Sequence, residues 1–138
     1  MLRKTYKVKG EDVDDFMVMQ DYAYQSYTSS MVDAFLFQKG YSKYKLNTQK
    51  IGLKKQFEKS VQLKNLMFTQ HFFLNLELVN TDIEKQKMSF RSRFFNVENE
   101  LCAMATLQLY WYNNSHEMII STPRTVAQNF LGYGYVAP

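Results

Sequence analysis

Cysteine is almost missing from this chain. One residue, Cys102, in 138 excludes an internal disulfide framework and fits a reducing compartment. Histidine is nearly as scarce. His71 opens an alternating run and His116 lies in a polar stretch; neither has metal-ligand spacing to a second ligand, so no metal is expected. No apolar run approaches the ~20 residues that cross a bilayer, and the opening residues do not resemble a signal peptide. A cytoplasmic protein with no membrane partner is therefore expected. Internal repeats and low-complexity tracts are missing too, as is any recognisable nucleic-acid-binding motif. The Ser29-Ser30 pair has no histidine or acid in a nucleophile motif.

What is abundant is bulk. Hydrophobic residues make up 46% and aromatic residues 16%, with 10 Tyr, 11 Phe and 8 Met. That is the composition of one globular domain, residues 1–138, with a large interior. Some of this apolar surface is available to cover a partner subunit or a long-chain ligand. The net charge is +4, and Lys43, Lys45, Lys50, Lys54, Lys55, Lys59 and Lys64 concentrate it in one stretch. The plainest role for those lysines is a solvated strand face. A sharper one is a patch for a polyanion: nucleotide-like phosphates, an acidic carrier protein or, last, nucleic acid.

The stretch Glu11–Lys39 organises the rest. Asp12, Asp14, Asp15 and Asp21 precede a run in which Tyr24, Tyr27, Met31, Ala34, Phe35 and Gln38 recur at three- and four-residue spacing, the period of one helical face. Ala23, Ser30, Ala34 and Phe37 widen the stripe, which predicts a helix buried on most of its circumference. Asp21 is the expected N-cap, since its carboxylate can accept from first-turn N–H groups and is favoured by the helix dipole. Gly40 supplies the left-handed residue that ends the helix.

Strands fill most of the remainder. Arg3–Lys9 alternates, and Glu11–Gln20 is the loop from it into the helix. After Gly40 comes a polar connection with room for one helical turn, then a weak strand over Ile51–Val61. In His71–Val79, Phe72, Leu74, Leu76 and Leu78 share a face. A polar turn runs from Asn80 to about Gln86. In Lys87–Phe95, Met88, Phe90, Ser92 and Phe94 share a face, and Asn96–Glu100 is a turn. Leu101–Tyr112 puts Leu101, Ala103, Ala105, Leu107, Leu109 and Trp111 on one side, the two alanines leaving room for a close helix. Met118–Ser121 adds a short extended piece, and Pro123 suits the first turn of a terminal helix to about Leu131. The sum is an α+β domain: an antiparallel sheet of about five strands wrapped around one long central helix.

This order of elements resembles the hotdog-fold thioesterases, specifically the 4-hydroxybenzoyl-CoA thioesterase-like branch. Asp12-Val13-Asp14 falls on that branch's Asp-x-Asp, Tyr24 on its helix tyrosine, and Ser121-Thr122-Pro123-Arg124 on its proline-containing segment. Where the family often has Gly-His-Val-Asn-Asn, this chain has Met17-Val18-Met19-Gln20-Asp21. The resemblance implies hydrolysis of an acyl thioester carried on CoA or an acyl carrier protein, with no cofactor beyond that substrate. It gives Asp14 the part of general base or nucleophile, and the backbone N–H at Asp21 the part of oxyanion donor. Met17, Val18, Met19, Tyr24, Tyr27 and Met31 would line the acyl path, and Lys54 and Lys55 would face the phosphates. It also implies a homodimer with a continuous sheet and active sites between subunits, dimers often pairing again into tetramers.

Each assignment has a plainer competitor. The four aspartates can be a polar loop with capping duties, with Asp12 and Asp15 purely structural. The Tyr24/Tyr27/Met31 stripe is core first and pocket wall second, and Cys102 is a small buried hydrophobe. Three other functions compete with hydrolysis: a non-catalytic acyl- or lipid-binding hotdog protein; a cone-shaped α+β binder or isomerase, against which a strand ahead of the helix argues; and a hotdog dehydratase, whose catalytic histidine is not visible.

Overall fold

Alternation and helical spacing resolve into eight strands and two helices among the described residues, 2–58, 60–82, 87–120 and 135–136 of a computed structural model. In chain order these are β1 (Leu2–Lys7), α1 (Asp21–Gln38), α2 (Lys43–Thr48), β2 (Ile51–Phe57), β3 (Val61–Gln62), β4 (His71–Asp82), β5 (Lys87–Asn96), β6 (Leu101–Asn113), β7 (Met118–Ile120) and β8 (Tyr135–Val136). A 3-10 turn at Gly10–Asp12 follows β1. The sheet runs β1-β4-β5-β6-β2, every neighbour antiparallel, with β3 and β7 along β6 and β8 parallel to the end of β4. Helix α1 packs on β4 and β6, which makes this the expected α+β architecture.

The core stripes are the ones the alternation gives. Phe72, Leu74, Leu76 and Leu78 of β4 face Met88, Phe90, Ser92 and Phe94 of β5, and Ala103, Ala105, Leu107, Leu109 and Trp111 of β6 complete the face. Ser92 is tolerated in this apolar stripe because its hydroxyl lies 2.8 Å from the Thr28 hydroxyl of α1 and donates to the Ala105 carbonyl. Leu101 departs from the expected stripe. A bulge where Phe94 and Phe95 pair with Ala103 and Leu101 inserts one residue, so Cys102 is fully buried and Leu101 only half so.

Two expectations about α1 change and a third is met. First, the helix buries Ala23, Tyr24, Tyr27, Thr28, Met31, Val32, Phe35 and Leu36 but leaves Tyr22, Ser26, Ser30, Phe37 and Gln38 exposed, so in this chain one flank is open rather than most of the circumference covered. Second, its N-cap is Gln20, in extended conformation and without a side-chain cap bond; Asp21 is the first helical residue, and its carboxylate accepts instead from the Gln62 amide. Third, the helix ends on the left-handed glycine expected. Gly40, at φ +91°, donates to the Phe37 carbonyl while Tyr41 donates to Leu36, a Schellman pair that satisfies two orphan carbonyls. The expected turn from Asn80 starts later, since β4 runs to Asp82. The terminal helix from Pro123 and the Ser121–Arg124 segment lie outside the described residues, as does Lys59.

Candidate active site

The loop between β1 and α1 is folded back on itself by its own aspartates. Asp14 Oδ1 accepts from the N–H groups of Phe16 at 2.8 Å and Val18 at 3.1 Å, and the Asp14 N–H donates to the Val18 carbonyl. The bend needs a left-handed residue, which Met17 supplies at φ 64°. Val13 then pairs with Met19, and Val18 with Met67. Met19 is fully buried and donates to the Leu66 carbonyl; Gln20 donates to the Asp12 carbonyl and leads straight into α1. A half-buried carboxylate is thereby held six residues ahead of a cap, on a loop tied to the helix start. At that start the N–H groups of Asp21 and Tyr22 precede any i−4 carbonyl in the helix, so they are donors for an external acceptor.

Asp12, two residues earlier, is the buried carboxylate of the set, 6% exposed. Its Oδ2 accepts from the Lys9 N–H at 2.9 Å and from the Tyr27 hydroxyl at 2.6 Å. Burial, then the charged acceptor, pushes the Tyr27 hydroxyl pKa well above its ordinary value. Asp12, Tyr6 and Tyr27 line a cleft of about 740 Å³ between β1 and α1, with Lys4, Lys7 and Lys9 also on its walls. Asp14 is not among the residues lining it.

The other predicted site residues divide. Met17 lies on the loop surface and Val18 is half-buried, whereas Tyr24 and Met31 are in the core, Tyr24 with its ring edge-on to Phe94 and its hydroxyl pushed up to about 12 by burial. Lys54 and Lys55 do not form one basic face. Consecutive strand residues point opposite ways: Lys54 lies over the Tyr112 ring, and Lys55 turns to α1, where its ammonium reaches Asp33 Oδ1 at 2.6 Å and Ser29 Oγ at 2.8 Å. Missed by the sequence reading are the cleft residues Tyr6, Lys4, Lys7 and Lys9, and the residues Phe16, Leu63 and Phe68, which with the expected Met17 form an exposed apolar collar, Phe16 being 81% exposed. The collar is tied together by the Phe68 N–H on the Met17 carbonyl and the Gln62 amide on Asp21. Its signal was present as apolar residues inside polar loops. Among the described residues no group of three or more metal-ligating side chains assembles, and no helix is long and apolar enough to cross a membrane.

No protein-family model matches this chain, and no curated protein matches it. Solved structures do. A hypothetical protein of Staphylococcus aureus, solved in complex with CoA, superposes with a TM-score of 0.86 at 17% identity, over 95% of this chain and 82% of that one. A gentisyl-coenzyme A thioesterase gives 0.79 at 17% identity, over 91% and 98%. A 1,4-dihydroxy-2-naphthoyl-CoA thioesterase from Synechocystis gives 0.80 at 11% identity, over 92% and 93%. This chain has the hotdog fold. Its elements are those of a hotdog domain: α1 is the central helix and the β1-β4-β5-β6-β2 sheet is the wrapper.

Proposed function

We propose that the protein hydrolyses acyl thioesters, with Asp14 as general base or nucleophile and the N–H groups at the start of α1 as oxyanion donors. The observation that carries this reading is the loop itself: Asp14 Oδ1 is fixed by two backbone donors, and the same loop closes onto Gln20 at the helix cap. One carboxylate oxygen is thus immobilised while Oδ2 takes no bond from the described residues. A thioester is already activated, so an oriented water, or the carboxylate itself, together with one donor for the developing oxyanion suffices. The carbonyl carbon gains an oxygen, the C–S bond breaks, and the proton taken by Asp14 goes to the thiolate. The thioesterase names and the CoA complex among the hotdog neighbours favour the same chemistry.

The exposed collar beside Asp14 supports a site shared by two copies of the chain, the partner covering Phe16, Met17, Leu63 and Phe68 and enclosing the acyl group. A thiol-release assay across acyl-CoA chain lengths tests the activity. Asp14→Ala is expected to lower kcat by about 10²–10⁴, the usual worth of a positioned acid–base group. Wild-type turnover that survives the change intact would remove Asp14 from the mechanism; binding of acyl-CoA without turnover would favour the non-catalytic acyl-binding alternative.

A further inference from the structure

Resting on the reading above, we propose that Asp12 is a positioning residue: bonded to Tyr27 of α1, it fixes the register between the Asp14 carboxylate and the N–H groups at the helix start. Little backbone joins those two elements. The Gln20 N–H donates to the Asp12 carbonyl at 2.9 Å, Val13 bridges to Met19, and the Asp14 N–H donates to the Val18 carbonyl at 2.9 Å. These contacts make a short ladder with Asp12 and Asp14 on one rail and Val18 and Gln20 on the other. Gln20 is the cap of α1, so a shift at Asp12 moves the proposed base relative to the proposed oxyanion donors. A ladder this short is marginal by itself.

Asp12 ties that ladder to the core. Its own N–H donates to the Lys9 carbonyl at 3.0 Å, and its Oδ2 accepts from the Lys9 N–H at 2.9 Å and the Tyr27 hydroxyl at 2.6 Å. Tyr27 lies two turns into α1, about 9 Å past Asp21 at 1.5 Å per residue, so the bond reaches beyond the cap into the body of the helix. The Tyr27 ring is held in turn, its centroid 4.7 Å from that of Tyr6 on β1 and 5.1 Å from that of Phe72 on β4. Asp12 is 6% exposed and Tyr27 8%. Water therefore competes little for the bond, and a charged acceptor strengthens it. The Asp14 bonds to Phe16 and Val18 stay within the loop; they fold it without joining it to α1. The Tyr22 hydroxyl does reach back to the Glu11 carbonyl, but at an exposed place. The buried join is Asp12 to Tyr27.

Two measurements on the full chain read this lock. In amide hydrogen exchange, the Phe16, Val18 and Gln20 N–H groups are expected to exchange at least about tenfold faster in Tyr27→Phe than in wild type, with the β5 amides unmoved. That variant keeps the ring and removes only the hydroxyl; a general loss of stability would speed the β5 amides in step with the loop. In the thiol-release assay, Tyr27→Phe and Asp12→Ala are each expected to lower kcat about 10- to 100-fold with KM within about twofold, the effect of misplacing reactive groups. The double variant is expected to lose no more than either single one, since both break the same bond. Asp12→Asn keeps an acceptor for Tyr27 and the Lys9 N–H, and is expected to hold kcat within about threefold of wild type. Should Asp12→Ala fail to fold, Tyr27→Phe and Asp12→Asn carry the test. Loop exchange unchanged in Tyr27→Phe would overturn the lock, and so would an unchanged kcat in that variant when wild type is active. A wild type that releases no thiol removes the hydrolysis reading and leaves the lock to the exchange experiment, where faster loop amides sustain it.

Discussion

Three aspartates within four positions have three different fates. Asp12 goes inside to meet Tyr27, Asp14 staples the loop to its own N–H groups, and Asp15 remains exposed. Identical side chains diverge because each is placed by a different donor set, and donors come from the fold. A fourth acidic residue gives a pH prediction. Lys64 first, then Asn96 and Glu98, hold the Glu100 carboxyl down to about 2 from an ordinary 4.5. A depressed folded-state pKa stabilises the protein above pH 4.5, and that contribution disappears as pH falls from 4.5 towards 2. Chemical denaturation in this window is expected to show a shallower acid limb for Lys64→Ala than for wild type. An identical slope would mean that the Lys64 contact does not hold Glu100 down. For Tyr24 the sign is opposite. Burial raises its hydroxyl to about 12, so the neutral form is favoured by folding, and stability from this group is lost only as pH rises from 10 towards 12.

Elements are set by spacing and ended by backbone geometry. The three- and four-residue recurrence of α1 and the two-residue alternation of β4, β5 and β6 are properties of the sequence, because helix and pleat periods are fixed by covalent geometry. Gly40→Ala forces a Cβ onto a φ of +91°, so it is expected to destabilise by about 1 kcal/mol, read as a lower urea midpoint at unchanged slope. No stability loss would mean that the α1 terminus relaxes into another cap. The loop before α1 is the element least legible beforehand. Its conformation depends on the bridge from Val18 to Met67 and the bond from Met19 to Leu66, partners nearly fifty residues away that local pattern cannot weigh.

At the level of the whole molecule, the sheet supplies stability, and the proposed function draws on the surface beside α1. Phe94 sits under Tyr24 and Phe72 and is fully buried; Phe94→Ala is expected to cost about 3–5 kcal/mol by thermal or urea unfolding. The collar should behave oppositely. Phe16→Ser with Leu63→Ser removes exposed side chains, so monomer stability is expected to move by no more than ~0.5 kcal/mol per site, while turnover falls and the sedimenting species shifts from dimer to monomer. Full activity in a clean monomer would sink the shared site and leave the collar without a role.

The sequence alone determined the periodicities, and hence the helix, the strands and the faces they bury, because those follow from the geometry of the chain and the cost of wetting apolar side chains. It also carried, in Asp12-Val13-Asp14 and Tyr24, the resemblance that led to the fold. Only the tertiary structure decided which aspartate is buried and which is on the loop surface, that Lys55 spends its charge on Asp33, that Cys102 turns inward at a bulge, and that one flank of α1 stands open beside a cleft. These are outcomes of long-range pairing, where a one-residue shift in register changes which atoms meet, and no local pattern encodes that choice.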